Sequence, residues 1–409
     1  MLAVRGSLPW LLISSWMWHL TRWYGLFLGT YFVTAVGAPP IANQFVGVLL
    51  FAPMLLGAYA GRVFRNSGGP RKLVLVTELV LLPVSIAMDI LVVCGAAQIW
   101  AVYVFEFAFG FGLMVSMTAQ RELLLRVAGP SRATRVLNIE IASGASAMML
   151  GPLVAGITIG ACGLSVAFAV PAVLLAFSVL LFWGSIRGMS TEFGATMPPS
   201  TPIVSADRPD RRPLWRTPAL GLIMLLTLIF DLFYFAFTPL IPVIAEHLGT
   251  GAAMAGVLGA MPGLAQLVVS TSVAIRPVRR LFTGYAGGVA MALSALGMLA
   301  YAPAVGVALA ALGLAGLGQG LLGSTQATLT VEVVEPQDRA DALGLLTTAI
   351  GLAVPIGMVA LGVTVSLLGA QRAMLASAVV GLVGLAVVLL TNRGLLRGGN
   401  LQSAAVVAG

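Results

Sequence analysis

The stretch that decides the fold is Thr118–Gly156, TAQRELLLRVAGPSRATRVLNIEIASGASAMMLGPLVAG, because a related stretch follows it 206 positions later. Ser324–Gly362 reads STQATLTVEVVEPQDRADALGLLTTAIGLAVPIGMVALG. Residues that keep their identity at this offset include Gln120/Gln326, Leu123/Leu329, Val127/Val333, Pro130/Pro336, Leu137/Leu343, Gly151/Gly357 and Gly156/Gly362. An earlier pair, Gly47-Val48-Leu49 and Gly256-Val257-Leu258, repeats at an offset of 209. In a chain of 409 residues, the repeat unit is therefore half of the sequence.

The composition indicates a chain that lives in a membrane. Charged residues make up 9% of the sequence, whereas an average soluble domain has about 25%. Hydrophobic residues make up 59%, so the outer surface must face lipid. The net charge of +8 is spread between apolar stretches and forms no basic face, which argues against nucleic acid as a partner. The two cysteines, Cys94 and Cys162, form no metal or redox pattern.

Twelve apolar stretches are each long enough to cross a bilayer, which takes about 20 residues. They cover residues 8–36, 41–60, 73–95, 98–119, 138–161, 164–186, 217–244, 252–275, 282–301, 303–325, 341–367 and 371–391. With a cytoplasmic amino terminus, all Lys and Arg residues except Arg22 and Arg372 lie on the cytoplasmic side, as the positive-inside rule requires. The sequence therefore predicts an all-α, multi-pass protein of the cell (inner) membrane with both termini in the cytoplasm.

The repeat and the spans together predict four regions. Residues 1–187 form an N-terminal six-helix bundle, and residues 217–397 form a C-terminal six-helix bundle. Residues 188–216 form a cytoplasmic linker loop, because this segment is polar and contains five prolines. Residues 398–409 are expected to be a disordered tail. Two related bundles in so apolar a chain are typical of secondary transporters.

Three stretches resemble the major facilitator superfamily, and within it the drug–proton antiporters that include macrolide and enterobactin exporters. Ala119–Leu124 is similar to that branch's loop between helices 4 and 5. The residues similar to the Gly-Pro motif of its helix 5 are Gly144, Gly151, Pro152 and Gly156. Pro239-Leu240-Ile241-Pro242 resembles the end of its helix 7. The resemblance implies twelve helices in two pseudo-symmetric six-helix bundles around a central cavity, and secondary active transport.

The resemblance also implies a cytoplasmic gate, formed in this superfamily by the inner ends of helices 4, 5, 10 and 11. At the offset of 206, three positions in these regions carry opposite charges: Arg126/Glu332, Arg132/Asp338 and Arg135/Asp341. We expect these pairs to latch the gate, replacing an Asp that the family's helix 2–3 loop usually carries and that Gly57–Lys72 lacks. The alternative is two solvated loops, in which each pair contributes about 0–1 kcal/mol.

Three charged residues lie near the middle of their apolar spans, where a charge is costly and usually functional. Arg22 lies in the first span, Glu106 in the fourth and Asp231 in the seventh. We predict that Glu106 and Asp231 carry a coupling proton and that Arg22 pairs with one of them, because a neighbouring cation opposes carboxyl protonation. The alternative is a static buried ion pair between Arg22 and Glu106 that holds the N-terminal half together.

In this superfamily helices 1, 4, 7 and 10 line the cavity, so the resemblance implies that polar and aromatic residues on them contact substrate. The predicted cavity residues are His19, Trp16, Trp23, Tyr234, Thr238, Gln319 and Gln326. Two further acids are expected to be structural. Glu78 is expected to reach the Arg71 and Lys72 charges, and Glu140 to begin the fifth span.

The function expected from these features is proton-coupled efflux of an amphipathic small molecule by a monomer. The partners are the substrate, protons and the lipid bilayer, without nucleic acid. The only lysine is Lys72, so no phosphate-binding lysine motif exists and ATP is not expected as the energy source. Neither a metal nor another cofactor is expected, and the chain is not expected to be an enzyme. The alternatives are a proton-coupled importer or facilitator of a small anion, with Arg22 and His19 as its clamp, and a non-transporting receptor or scaffold.

Overall fold

The computed structural model describes residues 2–56, 69–129, 132–187, 217–276, 278, 280–335 and 338–394. Throughout these ranges the regular secondary structure is helical. The predicted linker 188–216, the tail 398–409 and the Asp-lacking part of the helix 2–3 loop lie outside the described residues.

The α-helices follow one another with short connections. Their bounds are α1 Leu2–Ala35, α2 Pro40–Phe51, α3 Pro70–Val93, α4 Ile99–Val115, α5 Arg121–Ala128, α6 Ala133–Arg187, α7 Pro218–Ile229, α8 Ile241–His247, α9 Ala252–Ile275, α10 Leu281–Ala300, α11 Val305–Glu332, α12 Arg339–Leu368 and α13 Ala370–Thr391. A π-helical turn, Ser116–Gln120, joins α4 to α5. A second π-helical turn, Phe230–Tyr234, and a 3₁₀ turn, Phe235–Leu240, join α7 to α8.

Within the described ranges, nine helical segments are long and apolar enough to cross a membrane. One of them, Ile139–Ser185, has 47 residues and contains Gly163 with a φ of 83°, so two helices meet at this glycine. In addition, α1 has 34 residues, and Pro40–Leu56 is a shorter apolar helix. The chain is a multi-pass helical membrane protein, while the count of twelve passes stays a prediction.

The chain divides into two compact units. The first comprises Met1–Met197 and Thr238–Gly263, and the second comprises Pro198–Phe237 and Leu264–Gly409. The division cuts the helical run Pro218–His247 between Phe237 and Thr238, inside its 3₁₀ turn. Pro239 lies in this turn and lacks a backbone N–H, which explains why regular α-helix stops here. The predicted boundaries of the halves, at residues 187 and 217, stay a prediction.

In the first unit, α1 packs along α6 with its backbone close to a glycine. A Cβ atom at Gly151 would lie 2.7 Å from the backbone nitrogen of Tyr24, so only glycine permits this approach. The Tyr24 hydroxyl donates to the carbonyl of Ala167 further along α6, at 3.1 Å. The close packing of small residues and the interhelical hydrogen bond are both typical of membrane helices.

The same stretch of α6 crosses α9 through backbone contacts. A Cβ atom at Gly156 would lie 2.5 Å from the carbonyl oxygen of Ala252, and one at Gly256 would lie 2.5 Å from that of Pro152. The predicted Gly-Pro motif therefore provides close approach at Gly151 and Gly156. Gly144 does not share this role, because a Cβ atom there would have no atom of the described chain within 4 Å.

In the second unit, α12 repeats the contact that α6 makes in the first. A Cβ atom at Gly357 would lie 2.6 Å from the carbonyl oxygen of Leu232. The π-helical turn around Leu232 is further held by Ser377, whose hydroxyl donates to the carbonyl of Phe233 at 2.8 Å. A π-helical turn changes the backbone hydrogen-bond pattern, and the Ser377 hydroxyl supplies a donor from α13.

Candidate functional site

The first group of charged residues lies where α1 passes α4. Arg22 is 6% exposed and Glu106 is 1% exposed, and the two side chains interact electrostatically. Within the described chain they do not reach the 4.0 Å of a direct ion pair. The structure thus brings together two of the three predicted intramembrane charges.

Two glycines on α1 make room for the Glu106 carboxyl group. A Cβ atom at Gly29 would lie 2.9 Å from Glu106 Oε1, and one at Gly25 would lie 3.9 Å from it. Arg22, Gly25 and Gly29 are spaced three and four residues apart, so they share one face of α1. Among the described residues, Arg22 carries the only buried guanidinium group. The two glycines leave a gap in the surface of α1 directly beside it.

The Arg22 guanidinium lies over the indole of its neighbour Trp23, 4.6 Å from the ring centroid. This cation–π contact stabilises a buried cation for which the described residues provide no counter-charge within hydrogen-bond reach. Arg22 Nε and Glu106 Oε1 have no hydrogen-bond partner in the described protein. Buried polar atoms of this kind usually pair with water or with a ligand, which is consistent with a working site.

A second charged group lies one helical turn from Arg22. His19 Nε2 is 3.9 Å from Glu140 Oε1, and Arg121 Nε is 3.9 Å from Glu140 Oε2. His19 and Glu140 are buried, whereas the Arg121 side chain is 40% exposed. The expectation that Glu140 begins its helix is wrong, because α6 begins at Ala133 and Glu140 lies two turns inside it.

The aromatic face of α1 is turned towards α6. Trp16 Nε1 donates to the hydroxyl of Ser146 at 3.0 Å, and Trp23 lies against Gly151. The two tryptophans share a face, as their spacing of seven residues predicts. Trp16 is partly exposed and Trp23 is buried. Their predicted contact with substrate stays a proposal.

The expectation that Glu78 reaches the Arg71 and Lys72 charges at the membrane surface is wrong. Its side chain is buried and accepts a hydrogen bond from the Ser178 hydroxyl at 3.1 Å, and Ser178 in turn bonds Ser14. Glu78 lies on the buried face of α3 together with Val74, Leu81, Ser85 and Met88. This helical spacing turns the carboxyl group inward and away from the Arg71 and Lys72 end.

The second unit holds Asp231 within its π-helical turn. Asp231 is buried, and its Oδ2 atom has no hydrogen-bond partner in the described protein. One turn earlier, the Thr227 hydroxyl shares a 2.6 Å hydrogen bond with Tyr285 of α10 and accepts one from Gln326 of α11 at 3.1 Å. Tyr285 also interacts electrostatically with Asp231. The sequence interpretation missed Thr227 and Tyr285.

The remaining predicted cavity residues are distributed differently. Tyr234 is buried between Phe230 and Phe237, with ring centroids 4.8 and 5.3 Å away. Thr238 is partly buried in the 3₁₀ turn. Gln319 is buried on α11, and Gln326 lies seven residues further along the same helix. Tyr234 thus packs in an aromatic cluster, while Gln326 is part of the Thr227 network.

Two of the residues predicted to form a gate, Arg126 and Glu332, have charged neighbours within their own units. Arg126 pairs with Glu122 one turn earlier in α5. Glu332, at the end of α11, interacts electrostatically with Arg339 at the start of α12. Arg132 and Arg135 are exposed, and Asp338 and Asp341 are partly buried. These local interactions neither test nor replace the predicted latch, which stays a proposal.

The comparison with protein families identifies the class. The model of the Major Facilitator Superfamily matches residues 7–335 and 223–405. The chain therefore belongs to the major facilitator superfamily, whose members are transporters and not enzymes. Its buried charges accordingly belong to a multi-pass membrane transporter.

Solved structures of distant transporters share the fold. A mutant of the nucleoside transporter NupG is 13% identical over 94% of this chain and 99% of its own, with a TM-score of 0.68. An inward-facing bacterial homologue of the human lysosomal transporter Spinster is 12% identical over 97% and 98%, with a TM-score of 0.72. The human organic anion transporter MFSD10 (TETRAN) is 12% identical over 93% and 99%, with a TM-score of 0.63. A search of curated protein sequences finds no match.

Proposed function

We propose that the chain is a proton-coupled exporter of amphipathic small molecules that works by alternating access. In this proposal the chain lies in the inner membrane of the cell, and its twelve helices form two related six-helix halves. Residues 188–216 join the two halves on the cytoplasmic side. The break at Gly163 supports two passes within α6, and the lengths of α1 and of Pro40–Leu56 support two more. The resemblance to drug–proton antiporters gives the direction of transport and the substrate class.

The observation that carries the proposal is the burial of Glu106 and Asp231, each with a carboxyl oxygen that has no hydrogen-bond partner in the described protein. A buried carboxylate that served only stability would be expected to accept a direct hydrogen bond from a neighbouring donor, as Glu78 does from Ser178. A carboxyl group in a low-dielectric interior favours its neutral form, and access to water or a cation favours the charged form. Each of these two groups can therefore take up a proton in one conformation and release it in another.

Arg22 couples the proton of Glu106 to conformation. When Glu106 is ionised, the buried cluster with Arg22 is neutral overall, and when Glu106 is protonated, a buried positive charge remains. An uncompensated buried charge is costly, so the two protonation states favour conformations that differ in hydration around Arg22. This difference is what a transport cycle driven by protons requires.

The second candidate is a proton-coupled importer or facilitator of a small anion. It is favoured by the nitrogen atoms of His19 and by Arg22 Nε, which have no hydrogen-bond partner in the described protein. Arg22 and His19 share a helix face and could clamp a carboxylate or phosphate between them. A non-transporting receptor or scaffold is not favoured, because the chain belongs to a family of transporters.

Proteoliposomes loaded with the pH indicator pyranine test the proposal. The purified chain is reconstituted, and gradients of three chemically different probes are applied: the amphipathic cation ethidium, the nucleoside uridine and the organic anion fluorescein. We expect an ethidium gradient to drive protons in the opposite direction. Proton movement in the same direction as fluorescein would favour the anion importer instead. Proton flux equal to that of protein-free liposomes with all three probes would contradict proton coupling.

A further inference from the structure

We propose that Glu140 and His19 form a second proton station, between Glu106 and the water that reaches Arg121. This inference rests on the proposed proton coupling and assigns the path by which the proton passes along the first unit. It gives a role to a buried acid that the sequence suggested to be structural.

The path is defined by one face of α1. His19, Arg22, Gly25 and Gly29 lie on this face, and Glu106 lies over its Gly25–Gly29 end. Ten residues separate His19 from Gly29, which corresponds to about 15 Å along a helix, or half of a hydrocarbon core about 30 Å thick. Glu106 and Glu140 are two carboxyl groups beside this face of α1. Glu106 lies at the Gly29 end of the face, and Glu140 lies at the His19 end.

Exposure increases along this line in one direction. Glu106 is 1% exposed, Glu140 is 6% exposed, and the side chain of Arg121 beside Glu140 is 40% exposed. In this proposal the proton reaches water at the Arg121 end, where the π-helical turn passes into α5. The bias of basic residues predicts that this end faces the cytoplasm.

The distances between His19, Glu140 and Arg121 suit a proton relay better than direct, structural salt bridges. Both the His19–Glu140 and the Arg121–Glu140 separations are 3.9 Å, which is longer than a direct hydrogen bond. Both His19 nitrogens, Glu140 Oε2 and Arg121 Nε are buried atoms without hydrogen-bond partners in the described protein. Separations of this size are commonly bridged by water, which also conducts protons.

The charged groups of the cluster around His19 and Glu140 come from three elements. His19 and, one turn further, Arg22 lie on α1; Arg121 begins α5; and Glu140 itself lies on α6. Arg22 and Arg121 stay cationic, so only His19 and Glu140 change charge at this end of the path. A proton that enters the group is therefore shared by one imidazole and one carboxylate between two fixed positive charges.

The transfer balances without any other reactant. The Glu106 carboxyl group gives a proton through a chain of water molecules past Arg22 to the neutral imidazole of His19, which leaves a carboxylate and an imidazolium. The imidazolium passes the proton to the Glu140 carboxylate, and the neutral acid releases it to water beside Arg121. His19 and Glu140 return to their initial states, and the net change is the loss of one proton from Glu106.

Infrared difference spectroscopy tests the station without a substrate. Films of the purified, lipid-reconstituted protein are compared between about pH 5 and pH 9, the range in which histidines and buried carboxyl groups titrate. We expect the wild type to gain a protonated-carboxyl C=O band on acidification that Glu140→Gln removes. We also expect His19→Gln to displace this band, whereas the matched variant Glu78→Gln leaves the band that Glu140→Gln removes in place. Spectra of Glu140→Gln that are identical to those of the wild type would overturn the proposal.

The pyranine assay provides the second arm. With an ethidium gradient, we expect Glu140→Gln and His19→Gln to lower proton flux at least about tenfold, as the loss of a proton-transfer group typically does. Glu78→Gln, which removes an acid bonded to Ser178, serves as the control for general damage. Unchanged flux in both variants would overturn the relay while leaving proton coupling intact. Absence of flux in the wild type would instead contradict the proposed function, and the infrared result would still decide whether Glu140 titrates.

Discussion

Gly151 and Gly357 make the same contact in the two units, although they lie 206 positions apart. Gly151 meets the backbone between Trp23 and Tyr24, and Gly357 meets the backbone of Leu232. Trp23 and Leu232 are related by 209 positions, the same offset that relates Gly47 to Gly256. The preceding residues, Arg22 and Asp231, therefore occupy equivalent positions of the repeat. The duplication has kept the backbone contact and placed opposite charges beside it.

The first prediction concerns these glycine contacts. Gly151→Ala and Gly357→Ala should each lower the stability of the detergent-solubilised protein by about 1–3 kcal/mol, because the new methyl group would overlap backbone atoms. Gly144→Ala is the matched control on the same helix as Gly151. It should be neutral or stabilising by up to about 1 kcal/mol, since alanine favours helix and meets no neighbour. Thermal unfolding measures all three, and a loss in Gly144→Ala equal to that in Gly151→Ala would contradict the packing account.

The second prediction concerns the gap in α1 that holds Glu106. Gly29→Ala places a methyl group 2.9 Å from Glu106 Oε1 and should displace the carboxyl group from its site. We expect proton flux driven by ethidium to fall at least about tenfold, the scale of a lost proton-transfer group. Gly25→Ala is the control, because its nearest neighbour would be Phe105 at an ordinary 3.5 Å. Equal activity of the two variants would show that the position of Glu106 does not matter.

The third prediction concerns the stability of variants at Arg22 and Glu106. Arginine keeps its charge when buried, whereas a carboxyl group can become neutral. Glu106→Gln leaves the Arg22 guanidinium buried without an anion, which should cost about 3–5 kcal/mol. Arg22→Gln should cost less, because Glu106 can become neutral by taking up a proton. The double variant should recover most of the loss of Glu106→Gln. Thermal unfolding of the four proteins at neutral pH measures this cycle, and strictly additive losses would mean that the two residues do not interact.

The fourth prediction concerns the network in the second unit. Tyr285→Phe removes the hydroxyl that bonds Thr227 next to Asp231 and leaves the ring in place. We expect stability to fall by about 1–3 kcal/mol, since the Thr227 hydroxyl and the Gln326 amide lose a buried partner. Tyr301→Phe, on an exposed ring beyond α10, is the control and should stay within about 0.5 kcal/mol of the wild type. A Tyr285→Phe protein as stable as the wild type would remove Tyr285 from the site.

The sequence could predict the parts of this structure that follow from helical periodicity and from the duplication. The shared face of His19 and Arg22 follows from spacing within one helix, and membership of the major facilitator superfamily was expected from the repeat and from motifs in several helices. Glu140 was missed because its environment depends on where α6 begins, and a start at Ala133 turns an apparent first-turn acid into an interior one. Glu78 was misplaced because the apolar stretch gave no sign of which face is buried. Tyr285 was missed because its partners lie on other helices.

The most direct test of proton coupling compares wild type, Glu106→Gln and Asp231→Asn in pyranine-loaded proteoliposomes under the same ethidium gradient. The account predicts proton flux opposite to ethidium in the wild type and a fall of at least about tenfold in each variant. If both variants carry protons at the wild-type rate, neither buried acid carries the coupling proton, and the account is contradicted.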